Sequence, residues 1–202
     1  MSEAIRRESP LVSFGLAERA NRGAAAGAGV VASERALLGH FNLRGDPAAP
    51  RFVAGVNAAL GVALPVAANT VADGQGNVVY WLGPDEWLVV TAGDRAASVG
   101  AALRTALSGV RSAVTEVGGG QTVVVLRGAS VRDALAKGCP LDLDPRVFRV
   151  GACAQSHLAK APILIRPLAD GPAFEIVVRR SFADYFWTWL EDAAAEYGFA
   201  IE

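Results

Sequence analysis

The chain is poor in the side chains that carry most enzyme chemistry. Its 202 residues include two cysteines, two histidines and one methionine, and only two of its 19 basic residues are lysines. So few nucleophiles and metal ligands leave little material for a catalytic triad or a metal cluster. With a formal net charge of −1 and scattered arginines, the chain also lacks the basic stripe that neutralises phosphates, so nucleic acid is not an expected partner.

Long hydrophobic runs are missing as well. No apolar stretch reaches the ~18 residues that a membrane-spanning helix needs, so no membrane association is expected. Residues 1–11 carry four charges and lack the apolar core of a secretory signal, which predicts a cytoplasmic protein. In that compartment Cys139 and Cys153 stay reduced. What the sequence has instead is 52% hydrophobic residues, enough for a substantial core.

One structural unit occurs twice along the chain. Residues 42–46 (NLRGD) open a predicted helix that ends at Gly61, and residues 125–128 (VLRG) open another that ends at Gly138. A strand pair and a second helix follow each of them, at an offset of roughly 85 residues. We therefore predict one compact body made of an arm and a Gly/Ala-rich loop (1–29), a first α+β repeat (30–110) and a second α+β repeat (111–202).

Capping residues place the helices within each repeat. Asp46 followed by Pro47 predicts the start of the first helix, and Ser130 with Asp133 is a near relative of the capping box. A further helix follows Ser181, and its predicted buried face consists of Phe182, Tyr185, Phe186, Trp189 and Ala193. Trp187 falls outside that stripe, so its indole packs either on another element of this chain or on a partner.

Strand signals complete the predicted fold. Residues 78–82 and 86–90 form a hairpin pattern around a Gly-Pro-Asp turn, and residues 163–167 with 174–178 repeat that pattern. Residues 122–126 and 30–32 are further strand candidates. The order strand, helix, strand pair, helix predicts an α+β fold of mostly antiparallel sheet with helices on one face, present as a duplicated pair.

The few motifs that invite a chemical interpretation have structural alternatives that we favour. Residues 27–32 (GAGVVA) match a dinucleotide-binding string, but no hydrophobic strand precedes them, which favours a flexible loop feeding a strand. Cys153 and His157 stand four apart, as metal ligands on a helix do, but lack a second pair. Cys139 lacks a recognisable base, although His40 and His157 remain candidates for that role. Two carboxylate pairs, Asp85 with Glu86 and Asp142 with Asp144, fit turns better than acid–base catalysis.

Several segments together resemble the gamma subunit of heterotetrameric sarcosine oxidase. The segments are 82–88 (LGPDEWL), 137–143 (KGCPLDL), 179–185 (RRSFADY) with Trp189–Leu190, and also 9–11 (SPL), 42–46 (NLRGD), 120–123 (GQTV) and 159–162 (AKAP). They follow the family's order at similar spacing and extend over most of the chain. Asp144 and His157 depart from the family pattern, as do the glycine-rich stretches 23–29 and 118–120.

The resemblance implies a fold and a set of partners. The fold would be similar to that of the folate-binding aminomethyltransferase family. The partners would be the alpha, beta and delta subunits of a complex that oxidatively demethylates sarcosine in sarcosine catabolism. FAD, FMN, NAD and tetrahydrofolate would be held by the larger subunits, and this chain would carry no catalytic, cofactor-binding or metal-binding residue.

The leading hypothesis is therefore a non-catalytic structural subunit of such a complex. The segment Ser9-Pro10-Leu11 would lie extended across a larger subunit, because proline favours extended backbone, and Trp187 would be a second contact. Two alternatives remain open. One is a free-standing tetrahydrofolate-binding or aminomethyltransferase-like protein, and the other is a homo-oligomer that kept the fold after losing its partners.

Overall fold

Two sheets and five helices make up the protein in the computed structural model, which describes residues 7–20 and 27–202. The helices are α1 (Leu16–Ala20), α2 (Pro50–Leu60), α3 (Ala96–Ala106), α4 (Val131–Ala136) and α5 (Ala183–Ala194). The strands are β1 (Val30–Arg35), β2 (Gly39–Gly45), β3 (Val71–Gly74), β4 (Asn77–Gly83), β5 (Glu86–Thr91), β6 (Ser112–Glu116), β7 (Gln121–Arg127), β8 (Ala154–Leu158), β9 (Ala161–Pro167), β10 (Ala173–Arg179) and β11 (Phe199–Ile201). The six-stranded sheet A has the order β11-β1-β7-β10-β9-β8, and the five-stranded sheet B has the order β3-β4-β5-β2-β6.

The predicted duplication is visible in the strand registers. In sheet B, β2 pairs antiparallel with β5, and Phe41 lies opposite Val89. In sheet A, β7 pairs antiparallel with β10, and Val124 lies opposite Ile176. These positions follow Phe41 and Val89 by 124 − 41 = 83 and 176 − 89 = 87 residues, close to the offset of roughly 85 that the sequence predicts. Both hairpins predicted from turn composition, β4–β5 and β9–β10, are present and antiparallel. The expected α+β fold of mostly antiparallel sheet is therefore confirmed.

The two halves exchange a strand with each other. β1 precedes β2 in the chain but pairs with β7 of the other sheet. β6 precedes β7 but pairs with β2. The two pairings are equivalent in register, since Val31 opposite Arg127 corresponds to Ala113 opposite Arg44. Neither sheet can therefore form without a strand from the chain region that builds the other.

Alternation of side chains along the strands creates three apolar layers. Helices α2 and α3 cover the outer face of sheet B, where Phe52, Val56 and Leu103 are fully buried. Helices α4 and α5 cover the outer face of sheet A. The inner faces of the two sheets pack on each other through an apolar cluster that includes Val90 and Val177. Each sheet thus has helices on one face, as expected, and the second face is buried against the other sheet.

The first long helix begins later than Asp46 and Pro47 predict. Asp46 Oδ1 accepts the Ala48 amide at 2.8 Å, which is a local Asx turn, and α2 starts with Pro50 at its first position. The turn satisfies the side chain before the helix can use it as a cap. The predicted end at Gly61 is correct, because Gly61 adopts the left-handed conformation (φ 65°) that a helix C-cap favours.

The buried face of α5 is rotated relative to the prediction. The buried residues are Ala183, Phe186, Trp187, Leu190, Ala193 and Ala194. Tyr185 is 38% exposed, and Trp189 is only partly buried. A shift of one residue turns a helix face by about 100°, and aromatic side chains with a polar atom tolerate a boundary position. The prediction followed the aromatic residues and therefore chose the adjacent face of the helix as the buried one.

The described part of the N-terminal arm, residues 7–20, folds onto the chain's own body. Leu11 is buried in the helix-side core of sheet A, and a 3₁₀ turn (Val12–Phe14) leads into α1. The extended conformation expected for Ser9-Pro10-Leu11 is therefore wrong, because the Val12 amide closes a turn onto the Ser9 carbonyl oxygen at 3.3 Å and Leu11 is buried in the chain's own core. Within residues 7–20 and 27–202, no helix is long and apolar enough to cross a membrane.

Candidate functional site

A buried polar centre lies between the two sheets. The Glu175 side chain is only 2% exposed and accepts hydrogen bonds from the Tyr80 hydroxyl, from Arg35 and from Arg166 Nε, the last at 2.9 Å. Arg166 Nη1 continues to Asp73 Oδ2 at 2.7 Å. Since Tyr80 and Asp73 belong to sheet B while Glu175 and Arg166 belong to sheet A, this centre ties the two halves together.

Glu175 and Tyr80 in this centre are each held in one protonation state near neutral pH. Burial alone raises the pKa of Glu175, but Arg166, the Tyr80 hydroxyl and Arg35 outweigh it, so that the net pKa lies below its usual value. Burial together with the Glu175 charge raises the pKa of Tyr80 well above its ordinary value. A group that exchanges protons in catalysis needs a pKa near the working pH. The centre therefore suits a structural role.

His40 lies at the edge of the same inter-sheet space. Its side chain is 1% exposed, and burial lowers its pKa to about 4, so the ring is neutral at pH 7. Nδ1 lies 3.2 Å from the Leu38 carbonyl oxygen, and the buried Nε2 contacts no hydrogen-bonding group in the described chain.

The structure does not bring the candidate nucleophile Cys139 to a histidine. Cys139 lies in the helix-side core of sheet A, where Ser156 Oγ is 4.0 Å from its sulfur. His40 lies between the sheets, and His157 Nδ1 contacts the Ala159 carbonyl oxygen at 3.0 Å. The packing that buries Cys139 thus supports the structural interpretation.

Cys153 and His157 are on an extended segment, not a helix. The four-residue spacing that would place two ligands on one helical face separates them by ~13 Å in a strand. Cys153 instead donates its thiol to the Thr70 carbonyl oxygen at 3.2 Å, and burial raises the pKa of that thiol to about 11. Across the described residues, no group of three potential metal ligands comes together.

The carboxylate pairs serve local structure. Asp85 pairs with Arg44 at 2.9 Å in the β4–β5 turn, and Glu86 accepts Asn42 Nδ2 at 2.6 Å. Asp142 accepts the backbone amide of Asp144 at 3.0 Å. A further pair, Asp144 with Arg146 at 2.8 Å, lowers the pKa of Asp144 to about 2. These contacts match the turn and loop roles favoured from the sequence.

The glycine-rich string at 27–32 leads directly into β1. The Gly29 amide donates to the Tyr197 carbonyl oxygen at 2.8 Å, and a side chain at Gly29 would lie 2.7 Å from that oxygen. The small residue thus allows two backbone segments to cross, and the string opens a strand where a pyrophosphate site opens a helix. It does not fit a dinucleotide. The preceding residues 21–26 lie outside the described part.

The residues that were predicted to bind a partner instead make contacts within this chain. Trp187 is fully buried, with its ring 6.1 Å from Phe14 and 6.0 Å from Phe199 between centroids. Ser9 Oγ donates to the Glu34 carboxylate at 2.6 Å. Of the two alternatives for Trp187, packing within the same chain is the one the structure has. Trp187 and Leu11 are therefore corrected from surface contacts to core residues, while Pro10 stays half-buried beside them.

A groove of about 580 Å³ opens at one end of the inter-sheet space. Its walls come from both sheets and carry both polar and apolar side chains, including Asn42, Glu86, Gln155, Arg179, Leu88 and Val177. The Glu86 carboxylate already accepts Asn42, and Gln155 Nε2 already donates to the Leu82 carbonyl oxygen at 2.8 Å. Asn42, Glu86 and Gln155 are thus engaged with the chain itself, whereas the buried Oε1 of Gln121, which also lines the groove, has no hydrogen-bond partner among the described residues.

The sequence contains a signal for the buried polar centre, although none of its residues was predicted as a site. Arg166 and Glu175 each interrupt an apolar strand of a predicted hairpin, and the register places them opposite one another. Complementary charges at facing positions of two buried strands indicate an internal ion pair. This pattern is visible in the sequence alone.

Comparisons with known proteins identify the family of this chain. The model of the sarcosine oxidase gamma subunit family matches residues 44–196. The chain belongs to this family. It is 33% identical over 183 residues to the sarcosine oxidase subunit gamma of an Arthrobacter species, which covers 90% of this chain and 88% of that one. It is 34% identical over 172 residues to the subunit gamma of Corynebacterium sp. strain U-96, covering 85% and 82%.

Solved structures support the same relationship. The heterotetrameric sarcosine oxidase from Corynebacterium sp. U-96, in complex with pyrrole 2-carboxylate, contains a chain that matches with a TM-score of 0.84 at 32% identity, covering 95% of this chain and 96% of that one. The glycine cleavage system aminomethyltransferase T from Bartonella henselae matches with a TM-score of 0.60 at 17% identity, covering 87% of this chain and 47% of that one. The second match shows the fold alone. The expected aminomethyltransferase-like fold of this gamma-family chain is thus confirmed.

Proposed function

We propose that this chain is a non-catalytic subunit of a heterotetrameric sarcosine oxidase, located in the cytoplasm. The observation that supports the proposal most strongly is the match over nearly the whole length of a chain of that assembly. The chemistry of the described residues agrees, because the buried polar centre, both cysteines and the carboxylate pairs are engaged in structural contacts.

The partners in this proposal are the alpha, beta and delta subunits. FAD, FMN, NAD and tetrahydrofolate belong to the larger subunits, where they supply the redox and one-carbon chemistry of sarcosine demethylation. Two candidate positions in the described residues are already engaged, since the Gly29 amide is bonded within the chain and the Glu175 carboxylate accepts three donors. The chain's own contribution is a rigid surface on which the larger subunits assemble.

The proposal is tested by reconstitution with and without this chain. We expect the four co-expressed subunits to form one flavin-containing species that oxidises sarcosine, and omission of this chain to lower the yield of that species. The isolated chain should neither oxidise sarcosine nor bind tetrahydrofolate saturably. Saturable folate binding by the isolated chain, with no hetero-complex formed, would instead favour the free-standing folate-binding protein.

A further inference from the structure

The outer edge of β6 is open, whereas the equivalent edge in the other half is occupied. β6 and β1 are equivalent strands, because each adds antiparallel to the first long strand of the opposite half in the same register. Beyond β1, sheet A continues with β11, which pairs with it in parallel. Beyond β6, sheet B has no further strand in the described chain.

The equivalence extends to individual backbone groups. In sheet A, the Val30 amide donates to the Gly198 carbonyl oxygen at 3.1 Å, and the Ala32 carbonyl oxygen accepts the Glu202 amide at 3.0 Å. The register makes Ser112 the counterpart of Val30 and Val114 the counterpart of Ala32. In sheet A, the backbone groups of Val30 and Ala32 thus form the hydrogen bonds to β11.

The same backbone groups of β6 point away from its partner β2. The Val117 amide donates to the His40 carbonyl oxygen at 2.8 Å, which makes this an inward-bonded pair. Inward and outward pairs alternate along an antiparallel ladder, so the groups of Ser112 and Val114 face outward. The side chains of Ala113, Thr115 and Glu116 are exposed, and those of Ser112 and Val114 are half-buried. An exposed edge of this kind is a template for an added strand.

The outermost strands at the other sheet edges have neighbouring segments within the chain. The segments leading to β3 and β8 meet at a bridge between Thr70 and Ala152, where the Val71 amide donates to the Gly151 carbonyl oxygen at 2.9 Å. At the far edge of sheet A, α1 packs beside β11. Helix α3 likewise contacts β6, but in the described residues no second strand pairs with the outward backbone groups of Ser112 and Val114.

A groove of about 790 Å³ lies where an added strand would enter. It is lined by Ser112 and Ala113 at the start of β6, and by Val110 and Arg111 just before it. In sheet A, the Tyr197–Gly198 backbone occupies the corresponding position as it leads into β11. The Val30 amide, which is the counterpart of the Ser112 amide, donates there to the Gly198 carbonyl oxygen. Groove and open edge are therefore continuous.

From these relationships we infer that β6 receives an extended segment of another subunit of the assembly, added parallel to it at Ser112–Val114. The inference rests on the proposed function, which supplies the other subunits. The segment should resemble β11, in which Phe199 and Ile201 pack on the helix side and Ala200 lies between them. Its apolar residues would cover Val110 and Val114, which are only partly buried against the core of sheet B. A second copy of this chain is a poorer fit, because a twofold axis would pair β6 with β6 antiparallel.

Hydrogen exchange at single-residue resolution tests this inference on the full chain, alone and in the assembled complex. We expect the Val114 and Ser112 amides to exchange at least about tenfold more slowly in the complex, because they become bonded there. The Thr115 amide, which faces β2, is the internal reference and should be protected in both states. Assembly that leaves the exchange at Val114 and Ser112 unchanged would overturn the inference, while failure to assemble at all would overturn the proposed function.

A pair of variants provides a second readout in co-expressed complex. Val114→Pro removes the outward amide, a change that an edge strand tolerates. Val114→Ala is the matched control, because it also shortens the side chain but keeps the amide. Loss of one backbone hydrogen bond should weaken incorporation of the proline variant about five- to tenfold relative to the alanine variant. Equal incorporation of the two folded variants would contradict the inference, as would their appearance only in a homodimer of this chain.

Discussion

Trp187 of α5 packs its indole on the ring of Phe14, with centroids 6.1 Å apart and an interplanar angle of 52°. The indole Nε1 donates to Glu191 Oε1 at 2.5 Å, and Arg19 of α1 donates to the same oxygen at 2.6 Å. The N-terminal segment and the last helix therefore hold each other through one aromatic contact and one shared carboxylate. The two features expected to reach outward to a partner are joined inward.

Replacing Phe14 tests how strongly the N-terminal segment is bound. Phe14→Ala should lower the free energy of unfolding by about 1.5–3 kcal/mol, since a half-buried ring in contact with Trp187 is removed. Denaturant titration followed by tryptophan fluorescence measures the change. Val12→Ala is the matched control, because Val12 is 61% exposed and should change stability by less than about 0.5 kcal/mol. Equal effects of the two substitutions would contradict the packing described.

Breaking the buried ion pair between Arg166 and Glu175 should cost more. Glu175→Gln leaves Arg166, whose side chain is 8% exposed, without its buried counter-charge, and we expect a loss of about 3 kcal/mol in unfolding free energy. Asp170→Asn removes the acidic partner of Arg127 in an exposed pair and should cost less than about 1 kcal/mol. A Glu175→Gln protein as stable as the Asp170→Asn protein would show that the polar centre does not tie the sheets together.

His40 predicts a pH dependence of stability. Its pKa is about 4 in the folded chain and 6.5 in the unfolded chain, so the unfolded state binds more protons between these values and folding weakens as the pH falls through that window. Lowering the pH from 7 to 5.5 should reduce the unfolding free energy by about 1 kcal/mol.

Neighbouring charges do not obscure this window. Glu175 and Arg35 both act on His40, but the pKa of Glu175 is lowered from 4.5, so its own contribution is present above that pH and is lost only below it. His40→Gln should remove the change between pH 7 and 5.5, whatever its effect on stability at pH 7. An unaltered pH slope in this variant would assign the effect to another group.

Thiol reactivity checks the burial of the cysteines. Cys139 and Cys153 are both free and buried, and the raised pKa of Cys153 keeps it protonated at neutral pH. Neither should react with an aromatic disulfide reagent in the folded chain at pH 7, and both should react in denaturant. The Cys139→Ser chain should release one thiol in denaturant and none when folded. Rapid release from the folded chain would place a cysteine at the surface.

Much of the fold could be predicted because its signals are local and repeated. The hairpins around Gly83 and Gly171 and the helix end at Gly61 follow from turn and cap chemistry, and the duplication follows from their offsets. The exchange of β1 and β6 between the halves could not be predicted, because strand pairing over 127 − 31 = 96 and 113 − 44 = 69 residues leaves no local trace. β2 was missed because residues 42–46 were assigned to a helix start.

The residues that could contact a partner were harder to predict than the fold. Trp187 was assigned by its position relative to an aromatic stripe, and a one-residue rotation of that stripe moved it from surface to core. The open edge of β6 has an ordinary short sequence, Ser-Ala-Val-Thr-Glu, and becomes distinctive only when β1 and β11 are seen in the equivalent place. Its signal is topological, so the sequence alone does not carry it.

Recovery of this chain with its partners at native level tests the central claim most directly. The chain is captured from its source cells, the co-eluting proteins are identified by mass spectrometry, and the absorbance spectrum of the eluate is recorded. We expect three further subunits in constant ratio and a flavin spectrum. A chain that elutes alone and colourless, or only with copies of itself, would contradict it.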